Sequence, residues 1–148
     1  MAVTSGCTPY GLYSGTGVHD ATVAQITGTW QCVEGTRVTL RRDGTALFAK
    51  LDGAGFDFMD GWRLSGTGTW RVTDTDDGQE IDLALTLRTG LDYRAHHEHE
   101  GDELAQTPPT IYAWDLYVDR DDDKDLRLFF FYGDPDGGNR YVLSRPQP

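Results

Sequence analysis

The run Ile81-Asp82-Leu83-Ala84-Leu85-Thr86-Leu87-Arg88 carries a large aliphatic residue at every second position, and a period of two sends Ile81, Leu83, Leu85 and Leu87 to one side of an extended chain. The same period recurs in Tyr112-Ala113-Trp114-Asp115-Leu116-Tyr117-Val118, with Tyr112, Trp114, Leu116 and Val118 on one face, and in Arg37-Val38-Thr39-Leu40-Arg41. Turn residues separate the runs: Asp43-Gly44, Asp77-Gly78, the acidic stretch 119–125 and Asp134-Pro135-Asp136-Gly137-Gly138. Residues 52–60 read as a flexible loop with an apolar tip. Trp62-Arg63-Leu64 and Trp70-Arg71-Val72 read as one strand that Gly66 and Gly68 bend or bulge. With Leu126 to Tyr132, apolar on both faces over Phe129-Phe130-Phe131-Tyr132, and Arg140 to Arg145, the strands number about eight, and no helical pattern of useful length intervenes. Strands joined each to the next by a turn satisfy all their edges only by closing. The expected fold is therefore all-β, a single antiparallel up-and-down β-barrel.

A chain of 148 residues fits one such domain. Residues 1–22, rich in Gly, Ser and Thr, read as a flexible tail or linker, and 23–148 as the barrel. Lys and Arg number 13 against 24 Asp and Glu, and the net charge of −11 repels a phosphate backbone and an anionic membrane face. Nucleic acid is thereby not expected as a partner, while a basic protein, a metal cation or a cationic small molecule suits that field. No apolar run approaches the roughly 18–20 residues of a spanning helix.

The start of the chain carries a second signal. Ala2-Val3-Thr4-Ser5-Gly6-Cys7 resembles the end of a bacterial lipoprotein signal, in which small residues precede a Cys that becomes lipidated. That resemblance implies export and a location at the cell surface or outside the cell, with membrane contact only through a lipid on Cys7; without a signal peptide the protein would be cytoplasmic. If Cys7 carries no lipid, an oxidising compartment permits a Cys7–Cys32 disulfide between the two cysteines of the chain. No zinc-type Cys/His spacing is present, and nothing near Cys32 marks it as a nucleophile.

Ile26-Thr27-Gly28-Thr29-Trp30, where the first strand begins, resembles the opening signature of the calycin superfamily, which includes the lipocalins and the avidins. The resemblance implies a lipocalin-like barrel whose floor is closed by Trp30 packed beneath an Arg of the last strand, Arg140 or Arg145. The later strands show no counterpart of the biotin-contacting runs of avidins, so biotin binding is not implied. The chain is also similar to small actinobacterial lipoproteins of unassigned function, through a Gly-Thr-Trp opening at Gly28, the middle Gly66-Thr67-Gly68-Thr69-Trp70, and an ending from Gly133 to Tyr141.

Few residues carry a chemical signal. In His96-His97-Glu98-His99-Glu100, His97 and His99 share a side of an extended chain, and with Glu98 they could hold a divalent metal; otherwise the segment is a solvated loop. Asp119-Arg120-Asp121-Asp122-Asp123-Lys124-Asp125 and the string from Asp134 to Asn139 have calcium-like spacing of acids, but lack the Gly and Glu of an EF-hand loop and read as turns. No nucleophile elbow, phosphate loop or dinucleotide fingerprint occurs. The ring set Trp62, Trp70, Tyr112, Trp114 and Phe130 either lines a cavity or fills the core.

The expectation is a non-enzymatic, monomeric binding barrel without a cofactor, for a small apolar molecule. Two alternatives stay open. One is an acidic immunity or inhibitor protein for a basic protein partner. The other is a metal-dependent enzyme using His97, Glu98 and His99.

Overall fold

The computed structural model describes residues 13, 15–32, 34–94 and 107–146. Eight strands follow one another in chain order through a single antiparallel sheet: β1 Gly28–Gln31, β2 Arg37–Leu40, β3 Thr45–Asp52, β4 Trp62–Thr75, β5 Gly78–Tyr93, β6 Tyr112–Arg120, β7 Leu126–Tyr132 and β8 Asn139–Leu143. Just past β8, Ser144 bridges Gln31, exchanging N–H···O bonds of 2.8 and 2.9 Å, so the last strand meets the first. The result is the nearly closed up-and-down barrel that alternation predicts. Because strands alternate in direction, the β2–β3, β4–β5 and β6–β7 turns share one end, the floor, and the other connections share the mouth.

Where alternation and structure part, a bulge is responsible. Leu85 pairs with Gly68, whereas Leu87 pairs with Thr67, so Thr86 is an extra residue on β5 and the inward face switches. Leu87, expected inside with Ile81, Leu83 and Leu85, is consequently 61% exposed. A second shift falls between Ser65 and Gly66 and sets Leu91, itself exposed, opposite the buried Leu64. Both shifts rest on β4 glycines that press against β5. A Cβ on Gly68 would lie 1.7 Å from the Ala84 carbonyl oxygen, and one on Gly66 2.1 Å from that of Leu87.

The described part of the segment read as a linker is bound to the barrel upstream of Val23. Gly17 donates to the Asp77 carbonyl at 2.8 Å, Gln79 to that of Val18 at 2.7 Å, and the Gln79 amide holds both backbone groups of Ala21. One short helix, α1 Val23–Ile26, follows; Thr22 and Gln25 cap it reciprocally, with bonds of 3.1 and 2.9 Å. Nearby, Tyr13 covers the outside of β6 and β7. Its ring meets Tyr117 at 5.0 Å and Phe131 at 5.1 Å, and Arg140 lies 4.5 Å from the Phe129 centroid. This outer layer explains why β7 is apolar on both faces: Phe130 points into the core, while Phe129 and Phe131 are buried beneath Tyr13 and Arg140.

Candidate functional site

The floor is closed. Trp30 is fully buried and donates its Nε1–H to the Ile26 carbonyl at 2.8 Å. The Arg145 guanidinium lies 3.9 Å from the Trp30 ring centroid and donates to the carbonyls of Thr29 (3.1 Å), Thr27 (2.8 Å) and Gln25. Of the two arginines proposed for this contact, Arg145 occupies it, and Arg140 sits on the outer aromatic layer. Burial lowers the pKa of Arg145 from its ordinary value. The carbonyl ring around its guanidinium answers that cost with hydrogen bonds.

Most of the ring set is buried. Trp62, Trp70, Trp114 and Phe130 are all buried, and Trp114 stacks on Phe48 at 5.3 Å and Phe130 on Tyr141 at 4.6 Å. Each buried indole of this set for which a polar contact is seen finds a backbone acceptor, Trp114 at the Asp52 carbonyl (2.9 Å) and Trp70 at that of Arg41 (2.6 Å). Trp62, Tyr112 and Trp114 come together near the mouth, with Tyr112 edge-on to both at 5.1 and 4.7 Å. Tyr112 is half-buried at the rim and donates its hydroxyl to Asp57 at 2.6 Å. Burial and the Asp57 carboxylate raise its pKa. Trp70 lies apart, beside the β2–β3 turn. The ring set therefore belongs to the packed core and its rim, where rings of this size fill a small barrel.

Polar chemistry concentrates at the mouth, in a group that the sequence did not flag. Asp52 exposes no surface, yet its carboxylate accepts from Arg63 Nε (3.2 Å), Arg94 Nε (2.5 Å), Arg94 Nη2 (2.9 Å) and the Tyr141 hydroxyl (2.6 Å). Arg63 continues to Thr36 Oγ1 (2.5 Å) and the Glu34 carbonyl (3.0 Å), and Arg94 Nη1 reaches the Glu34 carboxylate. Burial works against the charge on Arg94, but its bonds to Asp52 and Glu34 prevail and hold its pKa above the usual range. Burial, then the Asp52 charge, raises Tyr141. Two guanidinium cations thus balance two carboxylates in a low-dielectric setting.

Beside this group lies a cleft of about 350 Å³, lined by Cys32, Glu34, Phe58, Arg94, Tyr132, Arg140, Tyr141 and Val142. It opens on the mouth side of the Gln31–Ser144 bridge, between the β1–β2 turn and β8. Phe58 enters from a tight helical turn, Phe56–Asp60, in the loop read as flexible. Its ring packs 4.4 Å from Tyr132 and takes the Arg94 guanidinium at 4.7 Å. Cys32 is half-buried in this wall.

A second depression, about 310 Å³, lies along β4, β5 and β6; Trp70 and Trp114 of the ring set border it, with Leu83 and the polar Thr69, Arg71, Asp82 and Asp115. Asp82 and Asp115 are direct cross-strand partners. Burial and the neighbouring Asp82 raise the pKa of Asp115, and burial with Asp115 and Asp82 raises that of Glu80. In the acidic turn, ligand atoms of Asp121, Asp123 and Asp125 lie within 4.8 Å of one another. Asp121 there accepts the backbone N–H groups of Asp123 (2.9 Å) and Asp125 (3.0 Å) and pairs with Arg127 at 2.6 Å, which accounts for the geometry as a turn. Asp134 likewise caps the turn after it, accepting from Asp136 N at 2.9 Å. His97, Glu98, His99 and Cys7 lie outside the described residues.

In comparisons with known proteins, the chain matches no family model, no curated protein and no solved structure.

Proposed function

We propose that this protein is a non-catalytic binding barrel of calycin type that takes a small molecule in the seam cleft at its mouth. The observation that carries the reading is the cleft itself, which sets the rings of Phe58 and Tyr132 beside the Arg94 guanidinium, while Trp62, Trp70, Trp114 and Phe130 are buried. Binding sites of this kind are mostly apolar with a few placed polar groups, and the cleft volume of about 350 Å³ falls at the small end of their range. In this reading Trp62, Trp70, Trp114 and Phe130 support the site and do not line it. Amide chemical-shift mapping with a panel of ring-bearing acids, alcohols and amines tests it. Shifts centred on Cys32, Phe58, Tyr132 and Tyr141 are expected; shifts centred on core amides such as Leu83 and Leu116 would refute it.

One observation favours a second reading, an acidic face for a basic protein partner. Asp82 and Asp115 oppose each other across the sheet with Glu80 nearby, three carboxylates against the one cation Arg71 that bonds Asp82 at 3.1 Å, an arrangement that a partner's cation would relieve further. Such a partner should associate quickly at low salt and be released as ionic strength rises. A binding rate indifferent to salt would remove this reading.

A further inference from the structure

The fork of Arg94 has two sides with different fates. Nε and Nη2 grip the fully buried carboxylate of Asp52, and two further donors, Arg63 Nε and the Tyr141 hydroxyl, together with the packed core around them, fix that carboxylate in place. The third nitrogen, Nη1, turns to the cleft wall and meets the carboxylate of Glu34. Glu34 is a different kind of partner. Its side chain is 53% exposed, and its backbone holds φ +63°, a left-handed conformation unusual for a residue with a Cβ, in the turn between β1 and β2.

We infer that Glu34 occupies the place of a ligand carboxylate, and that the seam cleft binds a small aromatic carboxylic acid which displaces Glu34 from Arg94. The inference rests on the reading of the cleft as the binding site. The charges select the ligand class. Arg63 and Arg94 balance Asp52 and Glu34, so a ligand that moves Glu34 aside must itself bring one negative charge to the guanidinium. A neutral ligand would leave Nη1 without its charged acceptor, and an amine would meet like charge. Arg140 also borders the cleft, but its guanidinium turns to Phe129 and Tyr13 on the outer layer and lies 3.9 Å from Asp119, so the cation offered to the ligand is Arg94. The walls select the body of the ligand. Phe58 and Tyr132, in contact at 4.4 Å, give the cleft an aromatic wall on which a further ring can pack, and Tyr141, stacked on Phe130, backs it from the core. An internal carboxylate that competes for the same donor lowers apparent affinity by the fraction of time it is bound, so removing it should tighten binding.

The test compares benzoate with its neutral counterpart benzyl alcohol on the whole protein, by calorimetry and amide shifts, in the wild type and in Glu34→Gln. Benzoate should bind more tightly than benzyl alcohol, and Glu34→Gln should improve benzoate affinity about fivefold to tenfold while changing benzyl alcohol less than about twofold. Glu34→Gly, which also relieves the left-handed backbone, should act in the same direction and guards against a local disturbance peculiar to Gln. Equal binding of the two probes at the cleft, or equal response of both to Glu34→Gln, overturns this inference and leaves the cleft reading intact. If neither probe shifts the amides lining the cleft in wild type or either variant, both fail.

Discussion

A carboxylate that exposes none of its surface must be surrounded by donors, and at Asp52 they come from Arg63, Arg94 and Tyr141, residues of three separate parts of the chain. Removing the negative charge while keeping the shape would strand two guanidinium groups. Asp52→Asn is therefore expected to cost about 3–5 kcal/mol in urea unfolding. Glu34→Gln, at the exposed end of the same group, should cost less than about 1 kcal/mol. Equal losses would show that the two carboxylates are held alike. The sequence around Asp52, an acid followed by Gly53, has the look of an ordinary turn, and only the pairing of β3 with β4 and the return of β8 bury it. Trp30 was legible because its motif is local; Arg145 became its partner only once β8 came round to β1.

Asp115 gives a prediction in the opposite direction. Burial and the facing Asp82 raise its folded-state pKa, so the folded protein holds this proton more tightly than the unfolded chain does. Stability contributed here is present at acid pH and is lost as pH rises from the ordinary carboxylate range through the raised value. Asp115→Asn should then raise the melting temperature at neutral pH by an amount corresponding to less than about 1 kcal/mol and flatten the slope in that window. An unchanged pH profile would show that the pair is fully screened.

At the scale of elements, β6 followed its alternation throughout, since Tyr112, Trp114, Leu116 and Val118 all face inward against regular partners. β5 did not, because its register is set by glycines on another strand. Period-two reading treats a strand as if it were alone, and Leu87 is where that fails. Gly68→Ala tests the bulge directly. Its Cβ would run into the Ala84 backbone, so the strand pair must open or shift, at an expected cost of about 1–3 kcal/mol or more in thermal unfolding. A variant as stable as wild type would mean that β4 and β5 do not approach this closely. The segment before Val23 escaped detection for a related reason: its ties to Asp77, Gln79 and Val118 are mostly backbone hydrogen bonds, and composition rich in Gly, Ser and Thr is silent about those.

At the scale of the whole molecule, the strand count, chain order and antiparallel closure follow from alternation and turn residues, and these were legible. The cleft was not, because it is a property of closure itself. The barrel meets at a single bridge, Gln31 to Ser144, and what lies above that bridge is decided by which loop side chains lean over it. The proposed binding site lies at the edge of the sheet, and a protein of net charge −11 carries there a cleft lined by Arg94. The measurement that tests this account most directly is the set of intermolecular nuclear Overhauser contacts from the ring protons of bound benzoate. They should run to Phe58, Tyr132 and Tyr141 at the seam; contacts to Trp114, Leu83 and Leu116 would place the ligand inside the barrel and contradict it.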